Sequence, residues 1–515
     1  MGAHSMYPTS KNLRLGALAS LSGVLIALCM PRPGLCFLAW AGLAPLILAV
    51  RRDGARPARG FALGWIAGFS YYAVVAHWIY ATCRFAGTPA WVGVLAWAAM
   101  GGFLGVHWGL AAALGAFAAE RLRPERRPWG WAIVWTAAFA AVSAWGPRLC
   151  GELLEYTQWR HVALIQVAAI FGPHGLGFLV ALVNATLAEA WDAPLEDRAR
   201  APRLTAAAAA ALLAVCWAFG KWQLAGRDSA AAASPAARVE LLQPNVDQYE
   251  KWDAHSADRI MAGFEDLLAL PASAAPSLIV WPESSIPRWV DEGKTIEEPA
   301  RWSRRLDAFQ MVGVVSKDDS ASHNAAFLIG PDGSLRGGYF KRELVPFGEY
   351  VPLKFLKRYI GILDQMGDLT PGPARQALLE TPLGLAGVTI CYEAVFPRLS
   401  RLDAARGARL IVNITNDGWY RDTWGPYQHF YFNVFRAVEN RVTILRSGNT
   451  GISAVIDPWG VITSRLELNR RGRLDADVPL DDPFPARSFY ARHGDWFAAL
   501  CGLAAAALFI LACVG

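Results

Sequence analysis

Gly387-Val388-Thr389-Ile390-Cys391-Tyr392-Glu393-Ala394-Val395-Phe396-Pro397 is the stretch on which the reading of the fold turns. Its opening residues are small, apolar or β-branched, as expected of a strand buried on both faces. A cysteine ends the run and immediately precedes a predicted helix. Main-chain N–H groups at a helix start lower a thiol pKa and can hold an oxyanion. A lone cysteine is more often an inert core residue, but Tyr392 and Glu393 are unusual company for one. Cys391 is therefore a candidate nucleophile. The other seven of the eight cysteines, Cys29, Cys36, Cys83, Cys150, Cys216, Cys501 and Cys513, lie in or beside the apolar ends of the chain. None has CxxC spacing, so no zinc ribbon or dithiol motif is suggested. Cys83 and Cys150 fall in predicted exterior loops, where they could pair.

Two more strand ends carry polar groups. In Leu278-Ile279-Val280-Trp281-Pro282-Glu283-Ser284 a carboxylate follows an apolar strand and a Trp-Pro. Partial desolvation there would raise its pKa and suit a general base, although a capping or salt-bridging glutamate would look the same. In Tyr339-Phe340-Lys341-Arg342-Glu343-Leu344-Val345-Pro346-Phe347-Gly348-Glu349-Tyr350 a lysine stands between an aromatic strand and a Pro/Gly loop. Lys341 could stabilise a developing oxyanion, with Glu349 holding it in place. Taken alone, it reads rather as a solvated lysine on a surface turn.

Around these ends, from Arg238 to about Leu480, short apolar runs alternate with helical or loop segments. Arg238–Leu242, Leu278–Val280, Met311–Val315, Ala326–Ile329, Gly387–Ile390, Leu410–Ile414, Val442–Leu445 and Ile452–Ile456 are each predicted strands. Continuous rather than alternating hydrophobicity fits an α/β protein with both sheet faces covered. Turns such as Pro331-Asp332-Gly333 and Asp457-Pro458-Trp459-Gly460 punctuate them.

The rest of the chain has a different composition. The 515 residues are 54% hydrophobic and only 18% charged, where soluble chains average about 25% charged. Mean hydropathy is +0.25. A bilayer core of about 30 Å requires about 20 apolar residues in a helix. Such stretches run roughly over 12–30, 36–50, 60–80, 89–118, 129–146, 173–191 and 204–221, with an eighth from about 495 onward. Arginines mark alternate loops: Arg51, Arg52, Arg56 and Arg59; Arg121, Arg123, Arg126 and Arg127; Arg198, Arg200 and Arg203. The positive-inside rule makes these loops cytoplasmic and puts both termini there. The segment 222–494 then emerges on the opposite side, the periplasm of a Gram-negative cell. The net charge of +6 follows from these loops rather than from a nucleic-acid surface. The expected organisation is an N-terminal tail 1–11 opening on a vector-like remnant, a membrane domain 12–225, a linker 226–237, a periplasmic catalytic domain 238–482 and a return segment with a final span, 483–515. The span interiors hold almost no charged residues. His77 and His107 are best read as packed between helices, which argues against a transporter. Residues 145–171, with Tyr156 and Trp159, read as an interfacial segment with aromatic anchors, the alternative being that residues 161–171 merely begin the sixth helix.

The three strand ends, in order and context, resemble the Glu–Lys–Cys triad of the nitrilase, or carbon–nitrogen hydrolase, superfamily. That resemblance implies Glu283 as base, Lys341 as stabiliser of the tetrahedral intermediate, Cys391 as nucleophile, and an α-β-β-α sandwich fold. Seven spans, a nitrilase-like domain and a last span are together similar to the apolipoprotein N-acyltransferase family over essentially the whole chain. Gln243-Pro244-Asn245 with Lys251-Trp252-Asp253, Asn416-Asp417-Gly418-Trp419, Gly425-Pro426-Tyr427-Gln428-His429 and Asn449-Thr450-Gly451-Ile452-Ser453 support it. The resemblance implies supporting roles for Trp252, Asn324, Glu349, Tyr392 and Glu393, and an arm carrying Trp419 that gates lipid access. Tyr420-Arg421 after that tryptophan departs from the family pattern.

The implied reaction moves a fatty acyl chain from a membrane phospholipid to Cys391, and from there to the α-amine of an apolipoprotein's N-terminal diacylglyceryl-cysteine. Each CH₂ withdrawn from a bilayer costs about 0.8 kcal/mol, so membrane anchors on both sides of the catalytic segment suit two lipid substrates. No cofactor, metal or nucleic-acid partner is expected. GxGxxG and GxxxxGK[ST] fingerprints are absent from the sequence. A monomer in the bacterial inner membrane is expected. The alternative is a membrane-tethered amidase or nitrilase acting on a small amide with the same triad. A transporter with a binding domain and a catalytically dead interaction module are more distant rivals.

Overall fold

The computed structural model describes residues 7–145, 154–192, 203–229, 234–272, 274–291, 296–318, 320–351 and 368–514, apart from a few side chains. The chain separates into two units. One contains Met1–Leu224, Asp422–Tyr431 and His493–Gly515; the other contains Ala225–Arg421 and Phe432–Arg492.

The second unit is built on thirteen strands among the described residues. These are β1 (Ala236–Gln243), β2 (Leu278–Val280), β3 (Trp289–Asp291), β4 (Phe309–Lys317), β5 (Ser322–Ile329), β6 (Leu335–Phe340), β7 (Leu379–Thr381), β8 (Gly384–Ile390), β9 (Leu410–Thr415), β10 (Thr443–Gly448), β11 (Ser453–Ile456), β12 (Ile462–Leu466) and β13 (Gly472–Pro479). They form two sheets. The first runs β13-β1-β2-β4-β5-β6, with β3 also pairing with β4; the second runs β12-β11-β10-β9-β8-β7. All eight apolar runs read from the sequence lie in or across one of these strands.

Alternation along each strand explains the two cores. Leu278 and Val280 of β2, Met311 of β4, and Ala326 and Leu328 of β5 share a core with Val388 and Ile390 of β8 and Val412 and Ile414 of β9. Their strand neighbours Ile279, Val312, Val314, Ala325 and Phe327 instead pack with Ile260, Phe264 and Leu267 of helix Ala257–Leu268 and with Ala300 and Trp302 of helix Glu297–Leu306. Both faces of the first sheet are covered, which is why its strands read as unbroken apolar runs. On the second sheet, helix Pro397–Ala405, opened by its proline, follows the β8 end after the 3₁₀ turn Cys391–Val395. β8, β9 and β10 pair in parallel, so their carboxyl ends fall at one edge. Functional groups of α/β sheets collect at such edges.

Among the described residues, three helices are long and apolar enough to cross a membrane: Ala90–Ala119, Arg203–Ser229 and Trp496–Val514. The count rises to five if each of two bent pairs is one span. One bent pair joins Val162–Phe171 to Pro173–Asp192 at 117°. Residues 162–171 therefore do not simply begin the next helix. Just before them, Leu154–Gln158 forms a 3₁₀ turn whose residues are all buried. Tyr156 is only 1% exposed and its ring lies 5.5 Å from that of Tyr431. This corrects the expectation that Tyr156 is an interfacial anchor. His107 is buried and hydrogen-bonded to Tyr72 at 3.2 Å. Whether Cys83 pairs with Cys150 turns on a residue outside those described.

Candidate active site

The three strand ends converge in the second unit. Glu283 follows β2 on a sharp turn in which Ser284 takes a positive φ of 48°. The turn lies against β4: Ser285 donates its N–H to the Gly313 carbonyl at 2.7 Å. A Cβ at position 313 would lie 2.2 Å from the Pro282 oxygen and 2.8 Å from Glu283 Cα. Only glycine permits this approach. Lys341 follows β6, and its N–H bonds the Asn324 carbonyl of β5 at 2.8 Å. Cys391 follows β8 with φ of 53°. A non-glycine residue in the left-handed region is strained unless its surroundings fix it, and here the strain turns the sulfur out of the strand.

Lys341 is 1% exposed, so it is not a solvated turn lysine. Its ammonium lies 2.8 Å from Glu349 Oε2, 2.9 Å from Glu349 Oε1 and 3.4 Å from Glu283 Oε1. Asn324 donates from one side-chain nitrogen to both carboxylates, at 2.7 Å each. Glu349 also accepts the Val345 N–H at 2.8 Å, which pins its own loop. Burial alone would depress the ammonium, but Glu349, then Glu283 and Cys391, outweigh it and raise Lys341 above the ordinary lysine value. The two carboxylates therefore favour its charged form.

Cys391 experiences the opposite balance. Burial, reinforced by the Glu283 charge, pushes the thiol up to about 12, against the opposing pull of Lys341. This corrects the sequence expectation of a thiol acidified by a helix start. Cys391 opens a five-residue 3₁₀ turn, Cys391–Val395, and the α-helix begins only at Pro397. The residue is only partly exposed, and a neutral thiol is its resting form. It requires a base at the moment of attack. The Thr415 hydroxyl, at the end of β9, lies within hydrogen-bond reach of Cys391 and 3.3 Å from Asp417 Oδ1. Asp417 is in turn held by Arg446 at 2.8 Å.

Glu393 braces the elbow. Fully buried, it accepts four hydrogen bonds: from Ile390 N at 2.8 Å and the Tyr339 hydroxyl at 2.8 Å on one oxygen, and from Arg342 N at 2.7 Å and Glu343 N at 3.0 Å on the other. One carboxylate thus ties the β8 end to the loop that carries Lys341. Burial raises its pKa, with Arg342 opposing.

Comparison with known proteins shows the family of the chain. Residues 238–486 match the carbon-nitrogen hydrolase family, and residues 22–186 match the apolipoprotein N-acyltransferase N-terminal domain. The chain is 36% identical over 510 residues to the apolipoprotein N-acyltransferase of Geobacter metallireducens, covering 96% of this chain and 94% of that protein. It is 32% identical to that of Caulobacter vibrioides, covering 90% and 88%. The chain belongs to the apolipoprotein N-acyltransferase family. An amidase from Nesterenkonia sp. is also similar, 21% identical with a TM-score of 0.37, covering 48% of this chain and 91% of that one.

Of the other residues that the family resemblance singled out, Tyr392 stacks edge-on against Phe396 at 5.1 Å. Trp419 sits in the 3₁₀ turn Asp417–Tyr420 and is 46% exposed. Trp252 lies in the turn Glu250–Trp252, and its side chain is outside those described. Of the motif Gly425-Pro426-Tyr427-Gln428-His429, Gln428 donates to the Val75 carbonyl at 3.0 Å and Tyr427 accepts from Arg32 at 2.7 Å, all within the helical unit. Sequence reasoning missed Lys251, Thr415 and the Asp417–Arg446 pair. Lys251 and Asp417 stood inside quoted motifs, but nothing local marks them as buried.

Proposed function

We propose that this chain transfers a fatty acyl chain from a membrane phospholipid, through a thioester on Cys391, to the N-terminal α-amine of the diacylglyceryl-cysteine of an apolipoprotein. The observation that carries the reading is the buried Glu283–Lys341 pair, bridged to the partly buried Glu349, beside a cysteine held on a left-handed elbow, in a chain of this family.

In the first half-reaction Glu283 takes the thiol proton as sulfur attacks the ester carbonyl. The negative charge moves to the carbonyl oxygen, where Lys341 opposes it. Collapse expels the lysophospholipid oxygen, which recovers the proton from Glu283, and the acyl group stays on sulfur. In the second, the α-amine attacks the thioester, Glu283 accepts its proton, and the C–S bond breaks to leave an amide and a re-protonated thiol. Asn324 and Glu349 hold the base and the cation in register, and Glu393 holds the elbow.

We place the chain in the bacterial inner membrane as a monomer with about eight spans, using the boundaries 12–225, 238–482 and 483–515 for its parts. The arginine-rich loops support cytoplasmic termini and a periplasmic catalytic domain. Trp252, Tyr392 and Trp419 are assigned to substrate binding, with the segment around Trp419 gating lipid access.

The test supplies the purified chain with a phospholipid labelled in its acyl chain and a synthetic diacylglyceryl-cysteine peptide bearing a free α-amine. Label in an amide-linked triacylated peptide is expected. Release of labelled free fatty acid with an unmodified peptide would contradict the reading.

A further inference from the structure

We infer that Lys251 is a positioning residue for the acylation step, holding the main-chain carbonyl of Glu283 and completing the positive charge against which the Cys391 thiolate forms. The inference rests on the acyl-transfer reading of the same site.

Lys251 follows β1 by a short loop and is 4% exposed. Its ammonium donates to the Glu283 carbonyl oxygen at 2.7 Å. Its surroundings are mostly apolar: Val246, Ile260, Phe264 and Pro282 line the small cavity beside it. Burying an ammonium among such groups is costly, and a methionine would fill the same space at lower cost. Among the described residues no carboxylate pairs with Lys251 within 4.0 Å. The charge is therefore not used to close an ion pair. It is spent on the main chain of the one turn that carries the proposed base, beside a residue at positive φ.

Its charge has a second consequence. Glu283 is held by Lys341 at 3.4 Å from its carboxylate and by Lys251 at 2.7 Å from its main-chain oxygen, while Asp417 is matched by Arg446. Both Glu283 and Cys391 act electrostatically on the Lys251 ammonium. Without Lys251 one cation near the forming thiolate is lost, and the thiolate forms less readily. Burial pushes the Lys251 ammonium down to about 8, with Glu283 and Cys391 opposing that fall, so its charge is available at neutral pH and fades above it.

The experiment compares wild type, K251M and K251A in the full-length chain. Two rates are followed from about pH 6 to about pH 10: iodoacetamide alkylation of the peptide containing Cys391, and acyl loading of Cys391 from phosphatidylethanolamine in detergent micelles. K251M is expected to melt close to wild type and to shift both profiles upward by about one pH unit, which is about tenfold slower at neutral pH. K251A, which leaves room for a small cation, is expected to regain rate with added propylammonium. Superimposable profiles for K251M and wild type overturn the inference. If K251M does not fold, K251A decides, and a folded K251A that added amine leaves unchanged also overturns it. Failure of wild type itself to load acyl chains would count against the acyl-transfer reading, while the alkylation profiles would still report on Lys251.

Discussion

Glu393 offers the sharpest mutational prediction. Replacing it with alanine strands four buried donors, the N–H groups of Ile390, Arg342 and Glu343 and the Tyr339 hydroxyl. At about 1–3 kcal/mol per stranded donor, with some relaxation around the hole, the loss is about 4–8 kcal/mol. Domains have only about 5–15 kcal/mol in hand, so E393A is expected to fold poorly. E393Q is more informative. Its amide oxygen keeps two of the four bonds. Its NH₂ group is best tolerated on the Tyr339 side, where the hydroxyl can rotate to accept. The Ile390 N–H cannot do so and is left facing a donor, at a cost of about 1–3 kcal/mol. Removing a buried charge offsets part of that cost. E393Q should therefore remain folded while the residue immediately before Cys391 loses its anchor. Thermal melting and the rate of acyl loading on Cys391 are the assays. A drop of about tenfold or more in loading, with melting shifted only a few degrees, is expected. A folded E393Q that loads within about twofold of wild type would refute the claim that this carboxylate sets the elbow.

K341M leaves the buried Glu283 and the partly buried Glu349 without their shared cation, which should abolish acyl loading and cost about 3–5 kcal/mol of stability; melting of K341M/E349Q should recover part of that loss without restoring activity, and a double variant no more stable than the single one would count against the pairing. G313A places a methyl on the Pro282 oxygen and should slow acyl loading by about tenfold or more, read by mass spectrometry, because the turn carrying Glu283 must move away from β4. Glu240 of β1 is pushed up to about 7 by burial, against the pull of Arg473. The folded chain then holds a proton that the unfolded chain has released, so stability falls as pH rises from about 4.5 to about 7. Denaturant melts should show E240Q more stable by about 2–3 kcal/mol at pH 8 and without that slope; an unchanged slope would remove Glu240 as its source.

The site and fold were unequally legible in the sequence. Strands covered on both faces announce themselves as apolar runs, and all eight such runs correspond to strands. β12 alternates between half-buried and exposed positions, and β13 carries Arg473, Asp475 and Asp477 along a mostly half-buried face. Neither forms an apolar run, so both were missed. The proposed triad was readable because each member sits at a strand end with a distinctive local context. Its electrostatics were not. The thiol pKa is decided by burial and by Glu283, which is remote in sequence, and not by the residues just after Cys391. Similarly, Glu349 was legible as a holder of Lys341, but nothing in Tyr339–Tyr350 signals that the lysine is buried or that Glu283 also reaches it. The segment around Tyr156 resembled an interfacial anchor because its aromatics are spaced by polar groups, whereas in the structure those groups are buried between helices.

The central claim is a thioester on Cys391, and intact-protein mass spectrometry of the chain purified with phospholipid tests it most directly. A fatty-acyl mass increment on wild type, removed by neutral hydroxylamine and absent from C391A, is the predicted result. A folded, lipid-loaded wild type with no increment, or an increment that persists in C391A, would contradict the account.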